Sequence, residues 1–198
     1  RTQHLLWRLR SGELEFRHSP AVVVVTAGTN NVGRDGDGAA DVFLGVRAVV
    51  LEVLARLPGT RVLLPGILPR GPPVGLPSQV PPAPGESAAY STPPGAPAAG
   101  GTRAAFDKYA QPGQHTNTIA EVNRRLEALA ATSGGAVVYV PCQKPFLTPD
   151  GSRLRPELMR DALHPTAAGV RAWLDVLAPA VGGGPPPAAH AAAPAFAF

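Results

Sequence analysis

The sequence has little cysteine and no long apolar run, and each shortage argues against a class of protein. Cys142 is the single cysteine among 198 residues, so the chain has no internal disulfide and no cysteine cluster that could hold a metal. No apolar run approaches the roughly 18 residues that cross a bilayer, so we expect no membrane span. Basic blocks with interleaved aromatic residues are also missing despite the net charge of +4, and we therefore expect no nucleic-acid binding.

Proline and glycine, by contrast, are abundant, with 24 and 22 residues. Such a surplus indicates long irregular segments, while a hydrophobic fraction of 44% is ordinary for one globular domain of this length. Residues 72–116 are rich in Pro, Gly and Ala and are predicted to form a disordered insert, because they can bury too little apolar area to offset their ordering entropy. Residues 181–198 are predicted to be a disordered Ala/Pro tail. One domain over residues 1–180, interrupted by the insert, is therefore expected.

Four consecutive valines at residues 22–25 mark the strand around which the chain is organised. The run is too short for a typical helix, and β-branched residues favour an extended backbone. Because the run is wholly apolar rather than alternating, it predicts a strand of a parallel sheet, buried on both faces. The strand ends in Gly28-Thr29-Asn30-Asn31, at the edge where open α/β sheets bind ligands. An ordinary asparagine turn is the alternative interpretation.

A second polar motif, Asp161-Ala162-Leu163-His164-Pro165, lies far downstream. Its spacing lets Asp161 accept a hydrogen bond from one ring nitrogen of His164, which leaves the other nitrogen free as a general base. A helix-capping or packed histidine is the alternative. A metal site would need a third ligand, and neither His18 nor His115 has a suitable context, so neither a metal nor a cofactor is expected.

Helices are predicted between the strands. Residues 2–10 form a helix with Trp7 in the core, and residues 39–57 form a helix with a buried valine stripe. A capping box at Thr118 and Glu121 opens the next helix, and residues 156–160 form a short one. The last begins at Pro165-Thr166 and has a predicted apolar face of Val170, Trp173, Leu174 and Leu177. Buried strands are expected at residues 60–65 and 136–140, and their alternation with helices predicts an α/β fold with a parallel sheet.

Taken together, the two polar motifs resemble the GDSL/SGNH esterases. Within that family, the chain is most similar to the catalytic subunits of platelet-activating-factor acetylhydrolases. The resemblance covers residues 1–71 and about 117–177, and it includes three further segments: Thr2-Gln3-His4-Leu5-Leu6-Trp7-Arg8-Leu9, Leu68-Pro69-Arg70-Gly71 and Asp150-Gly151.

The resemblance implies a three-layer, flavodoxin-like parallel sheet with helices on both faces, and a serine esterase of short-chain, acetyl-like esters. His164 would take the proton of the nucleophilic serine, Asp161 would orient His164, and Asn30 would donate to the oxyanion. Thr29 and Leu163 would line the acyl pocket. The expected partner is a small ester substrate, a homodimer or heterodimer is compatible with the family, and a cytoplasmic location is slightly favoured.

The nucleophile of this family lies in a Gly-Asp-Ser block, and no such block occurs in the sequence. The chain is therefore expected to lack the first two strands of the fold and to be inactive as it stands, and the valine strand is expected to be an exposed edge. The alternative is a non-catalytic relative that binds a partner chain.

Overall fold

The computed structural model describes residues 1–71 and 107–183, which form an α/β fold around a parallel sheet. The described strands are β1 (Val22–Val24), β2 (Arg61–Pro65) and β3 (Val137–Val140), and they lie in the order β1-β2-β3. Both pairs are parallel, with Val23 opposite Val62 and Leu63 opposite Val138. The predicted fold class is confirmed, as are all three predicted strands.

Helices cover both faces of this sheet. The α-helices of the described ranges are α1 (Thr2–Arg8), α2 (Ala39–Arg56), α3 (Thr116–Ala131) and α4 (Ala167–Gly182). Helix α2 packs against α1 and α3, and this group covers one face, while α4 packs on β2 and β3 from the other. Short helical turns follow α1 at Leu9–Glu13 and follow β1 at Asn31–Asp35, and a third lies at Lys144–Phe146. None of the helices in the described ranges is long and apolar enough to cross a membrane.

The main core lies between α2, α3 and the sheet. The predicted valine stripe of α2 is fully buried, and it packs with the side chains of β2 that point to the same face. This stripe consists of Val42, Val46, Val49, Val50 and Val53. On the opposite face, Leu177 of α4 packs against Val140 and Val138 of β3. Because the three described strands are parallel, their carboxyl ends lie at the same edge of the sheet.

Strand β1 forms one edge of the sheet among the described strands. Its valines are less covered than a central strand requires, and Val24 is 43% exposed. The prediction that this strand is buried on both faces is therefore wrong for the described chain, whereas the expected exposed edge is present. The reason is that β2 pairs with one edge of β1, and no described strand lies along its other edge.

Two predicted apolar faces are wider than the faces that the fold buries. Trp7 was expected in the core but is 69% exposed, because α1 packs on α2 through Leu5 and Leu6 on its other side. Val170 and Leu174 of α4 are exposed as well, whereas Leu177 is buried and Trp173 packs beside it. Helical spacing identifies an apolar face but does not say how much of it a neighbouring element covers.

Two local predictions are wrong. Helix α3 begins at Thr116 rather than at a capping box, and the carboxylate of Glu121 instead accepts hydrogen bonds from Arg124 and Arg125. Residues 156–160 form turns rather than a helix, because the backbone N–H groups of Leu158 and Met159 both bond to the Arg155 carbonyl and the helix does not continue.

Most of the predicted insert, residues 72–106, lies outside the described residues, as do residues 184–198 of the predicted tail. The far end of the insert is ordered by the loop around residue 150. Leu154 donates its N–H to the Tyr109 carbonyl, and Gln111 donates to the Ser152 carbonyl. Helix α4 runs on to Gly182, so the predicted start of the tail falls in its last turn.

Candidate active site

The Asp161–His164 motif forms a closed loop in which one carboxylate serves three donors. Asp161 Oδ2 lies 2.6 Å from His164 Nδ1, while Oδ1 accepts the backbone N–H groups of Leu163 at 3.0 Å and of His164 at 2.7 Å. The structure thus brings these two predicted site residues together, and it does so through the side chain and the backbone at once. Leu163 lies half-buried between them.

Neighbouring elements hold this loop on both sides. Ala162 is fully buried with a φ of 61°, a left-handed conformation that is uncommon outside glycine. Its carbonyl accepts the Gly71 N–H at 2.8 Å, and its own N–H donates to Met159. After the loop, Thr166 caps α4 by accepting the Gly169 N–H at 3.1 Å. The tight turn at Ala162 directs residues 163 and 164 back toward the Asp161 carboxylate.

The carboxylate of Asp161 is ionised at neutral pH. Partial burial alone would raise its pKa, but the hydrogen bonds from the His164 ring and from the two backbone amides outweigh that effect and lower the pKa to about 2. The His164 side chain is 78% exposed. Because Nδ1 is engaged by a full negative charge, the arrangement can accept a proton at Nε2 and stabilise the resulting imidazolium.

The loop after β1 presents Asn30 at the same edge of the sheet. Gly28 makes the turn possible, because its φ of 108° suits glycine and a Cβ atom there would lie 2.7 Å from Ile67 Cδ1. Asn30 is exposed, whereas Thr29 is half-buried. The Thr29 carbonyl and hydroxyl oxygens lie 2.7 and 3.3 Å from Arg70 Nη1, which donates to both. An amide side chain at this position can donate to a substrate oxygen.

The adjacent Asn31 has a different role from Asn30, and the sequence interpretation did not distinguish the two. Asn31 is 3% exposed. Its Oδ1 accepts the Thr2 N–H at 3.0 Å, and its Nδ2 donates to Gln3 Oε1 at 3.1 Å and to Asp37 Oδ2 at 2.9 Å. Asn31 therefore fixes the loop to the start of α1.

The sequence indicated Arg70 only as part of the segment Leu68-Pro69-Arg70-Gly71, which resembles the esterase family. In the structure, Arg70 lies next to both loops of the site. It is 3% exposed, it contacts Thr29, and the residue after it contacts Ala162. One signal could have indicated it: Arg70 follows β2 within a few residues, at the edge of the sheet where open α/β sheets bind ligands.

No serine lies within hydrogen-bond distance of His164 among residues 1–71 and 107–183. Ser133 bonds to the turn between α3 and β3, and Ser152 bonds to Asp150. The remaining described serines, Ser11 and Ser19, precede β1 at the opposite end of the strand from Asn30. Among the described residues, the Asp161–His164 pair and the exposed Asn30 side chain therefore have no serine beside them.

Curated relatives resemble this chain over part of its length. It is 50% identical over 70 residues to "Platelet-activating factor acetylhydrolase IB subunit alpha1" of Homo sapiens, a match that covers 35% of this chain and 29% of the relative. The corresponding match to the alpha2 subunit of Gallus gallus is 43% identical, with the same coverage of 35% and 29%. The match thus spans less than a third of the length of these relatives.

Solved structures share the fold. A GDSL-like lipase from Bacteroides thetaiotaomicron aligns with a TM-score of 0.60 at 19% identity, covering 91% of this chain and 70% of that one. A carbohydrate esterase family 3 protein from Talaromyces cellulolyticus aligns with a TM-score of 0.52 at 16% identity, covering 82% and 57%. The model of the GDSL-like lipase/acylhydrolase family matches residues 1–172. The chain therefore belongs to the GDSL-like lipase/acylhydrolase family, whose members are hydrolases of ester substrates.

Proposed function

We propose that these residues form the base and oxyanion half of a serine esterase site for short-chain, acetyl-like carboxylic esters. His164 is the general base, Asp161 orients it, and Asn30 donates to the oxyanion. The 2.6 Å contact between His164 Nδ1 and the ionised Asp161 carboxylate carries the proposal, because it leaves His164 Nε2 free at the edge where Asn30 is exposed.

The chemistry requires a serine hydroxyl that the described residues do not provide. In the acylation step, the serine oxygen bonds to the ester carbonyl carbon while its proton passes to His164 Nε2. The tetrahedral oxyanion accepts a hydrogen bond from Asn30 Nδ2. Collapse breaks the bond to the alcohol oxygen, which leaves with the proton held by His164, and water then releases the acid by the same route. Asp161 stays ionised throughout.

Two observations support a small acyl group. Relatives that match this chain are named as acetylhydrolase subunits, and the side chains flanking the proposed donor and base, Thr29 and Leu163, are both half-buried. These two residues would line the acyl pocket. Because the sequence has no Gly-Asp-Ser block, we propose further that the 198-residue chain has no appreciable esterase activity by itself.

The test compares the chain alone with the chain joined to, or mixed with, a segment that carries a strand ending in Gly-Asp-Ser. The chain alone should hydrolyse p-nitrophenyl acetate no faster than its His164→Ala variant. The supplemented chain should gain hydrolysis that His164→Ala abolishes, while His18→Ala, which removes another exposed histidine, leaves it unchanged. Asn30→Ala should lower kcat by roughly a hundredfold or more, as loss of one oxyanion donor does. His164-dependent hydrolysis by the chain alone would contradict the proposed inactivity.

A second candidate function is a non-catalytic, partner-binding protein. The edge position of β1 among the described strands, with Val24 43% exposed, favours it, because an edge strand can add a strand from another chain. A supplemented chain that binds the added segment through β1 but gains no His164-dependent hydrolysis would favour this candidate over the esterase.

A further inference from the structure

The two loops of the proposed site contact one short segment, residues 68–71, which follows β2. Arg70 donates from Nη1 to the Thr29 carbonyl at 2.7 Å and lies 3.3 Å from its hydroxyl. The next residue, Gly71, donates its N–H to the Ala162 carbonyl at 2.8 Å. Consecutive residues of one segment therefore hold the loop that carries Asn30 and the loop that carries Asp161 and His164.

This segment packs closely against the backbone at Gly33 and at its own Gly71. A Cβ atom placed on Gly33 would overlap the guanidinium carbon of Arg70, so the guanidinium lies directly against the backbone of the loop that continues from Asn30. A Cβ atom on Gly71 would overlap the Lys108 carbonyl and would lie 2.9 Å from Ala162 Cβ. A side chain at Gly33 requires the Arg70 guanidinium to move, and a side chain at Gly71 requires the Lys108 backbone and the Ala162 turn to move.

The charge of Arg70 is unusual for a residue so deeply buried. It is 3% exposed, and no carboxylate of the described residues lies within ion-pair distance of it. Burial lowers the pKa of Arg70, and the negative charge of Asp161 opposes that effect. His115 faces the same region, where burial and the charge of Arg70 both lower its pKa, so Arg70 carries the positive charge there. Because a buried cation with no ion-pair partner among the described residues is costly, packing alone does not explain Arg70.

We propose that Arg70 is a positioning residue that fixes the separation between Asn30 and the Asp161–His164 pair. The proposal rests on the proposed esterase function, since a fixed separation matters when one ester carbonyl must meet both groups. Misplacement of a catalytic group by about 1 Å can cost a hundredfold in rate. Arg70 does not touch the substrate, and its guanidinium acts through the Thr29 backbone.

The test is hydrogen exchange and ¹⁵N NMR on the 198-residue chain, without any added serine. The N–H groups of Leu163 and His164 report the placement of Asp161, and the N–H of Val32, which bonds to Gly28, reports the Asn30 loop. In Arg70→Met these three amides should exchange at least tenfold faster than in the wild type, and the His164 Nδ1 signal should move toward that of a free imidazole. Arg70→Lys keeps the charge but not the forked donor geometry. Its three reporter amides should exchange at rates between those of the wild type and of Arg70→Met.

Arg61→Met is the matched control. Arg61 is also a buried arginine bound to carbonyls, those of Ala180 and Val181, but it lies at the other end of β2. Loss of the Arg61 guanidinium should lower the free energy of unfolding. The exchange rates of the three reporter amides should then rise by the same factor as those of the other amides, to within twofold. If Arg70→Met accelerates all amides uniformly, or leaves the reporters unchanged, Arg70 is merely structural and the proposal is overturned.

Gly33→Ala provides a second variant should Arg70→Met fail to fold. Its added methyl group displaces the guanidinium from the loop side and should give the same local pattern; unchanged reporters in folded Gly33→Ala would overturn the proposal. These readouts require no hydrolysis. Absence of esterase activity in the supplemented chain therefore rejects the proposed function, whereas absence of the local exchange pattern rejects the role of Arg70.

Discussion

The loop after β1 and the loop before α4 differ in how they place their structural contacts and their proposed site residues. After β1, buried Asn31 fixes the loop while its neighbour Asn30 is exposed. Before α4, the single carboxylate of Asp161 both closes the loop through two backbone amides and engages His164. Stability and the proposed chemistry should therefore be separable by mutation in the first loop, whereas Asp161 in the second loop should affect both.

The largest expected effect is on Asn31. Asn31→Ala removes one buried and two partly buried hydrogen bonds and leaves the Thr2 N–H without its acceptor, so we expect a loss of about 3 kcal/mol in the free energy of unfolding. Denaturant unfolding measures it, with Asn117→Ala on the exposed start of α3 as the control. A loss below about 1 kcal/mol would mean that Asn31 does not hold the loop.

A smaller loss is expected at Asp161. Asp161→Ala deprives two backbone N–H groups of their acceptor, as removal of a helix cap does, and should cost about 1–2 kcal/mol. His164→Ala removes only an exposed ring and should cost less than about 0.5 kcal/mol. Equal losses in the two variants, measured by thermal and denaturant unfolding, would show that the ring contact contributes to stability and that the two backbone hydrogen bonds to Asp161 do not.

The same carboxylate predicts a pH dependence. The pKa of Asp161 is about 2 in the folded protein against an ordinary 3.8, so its contribution to stability is complete above the ordinary value and is lost as pH falls from about 4 toward 2. Asp161→Asn should flatten that part of the stability profile. If wild type and variant lose stability in parallel over this range, other carboxylates account for the acid sensitivity.

The smallest expected effect is on Asn30. Its side chain is exposed, so Asn30→Ala should change the free energy of unfolding by less than about 0.5 kcal/mol. A thermal melt beside that of Asn31→Ala tests the contrast directly. A loss similar to that of Asn31→Ala would make Asn30 a structural residue and remove the basis for its proposed oxyanion role.

Local patterns in the sequence were sufficient for the fold class and for the pairing of Asp161 with His164. The strand at the valine run and the contact between Asp161 and His164 each depend on residues that are close in sequence. Local backbone geometry is therefore enough to predict them. The strands at 60–65 and 136–140 were predicted on the same basis. The edge position of β1 depended instead on which strands pair with it, and only the resemblance indicated it.

Contacts between distant residues could not be predicted in this way. Asn31 bonds to Thr2 across 29 positions, and Arg70 bonds to Thr29 across 41. Nothing in the neighbourhood of either residue specifies its partner. Trp7 shows the same limit, because its apolar side chain predicts burial, yet no element of the described chain covers it.

The contact between Gly33 and Arg70 also constrains how this sequence can diverge. As long as residue 70 is an arginine in this position, a side chain at position 33 displaces its guanidinium, so a change at one position affects the other. Relatives with a smaller residue at position 70 gain room for a side chain at 33, whereas relatives that retain the arginine should retain the glycine. An alignment of this loop should therefore show these two positions varying together, although they lie 37 residues apart in the chain.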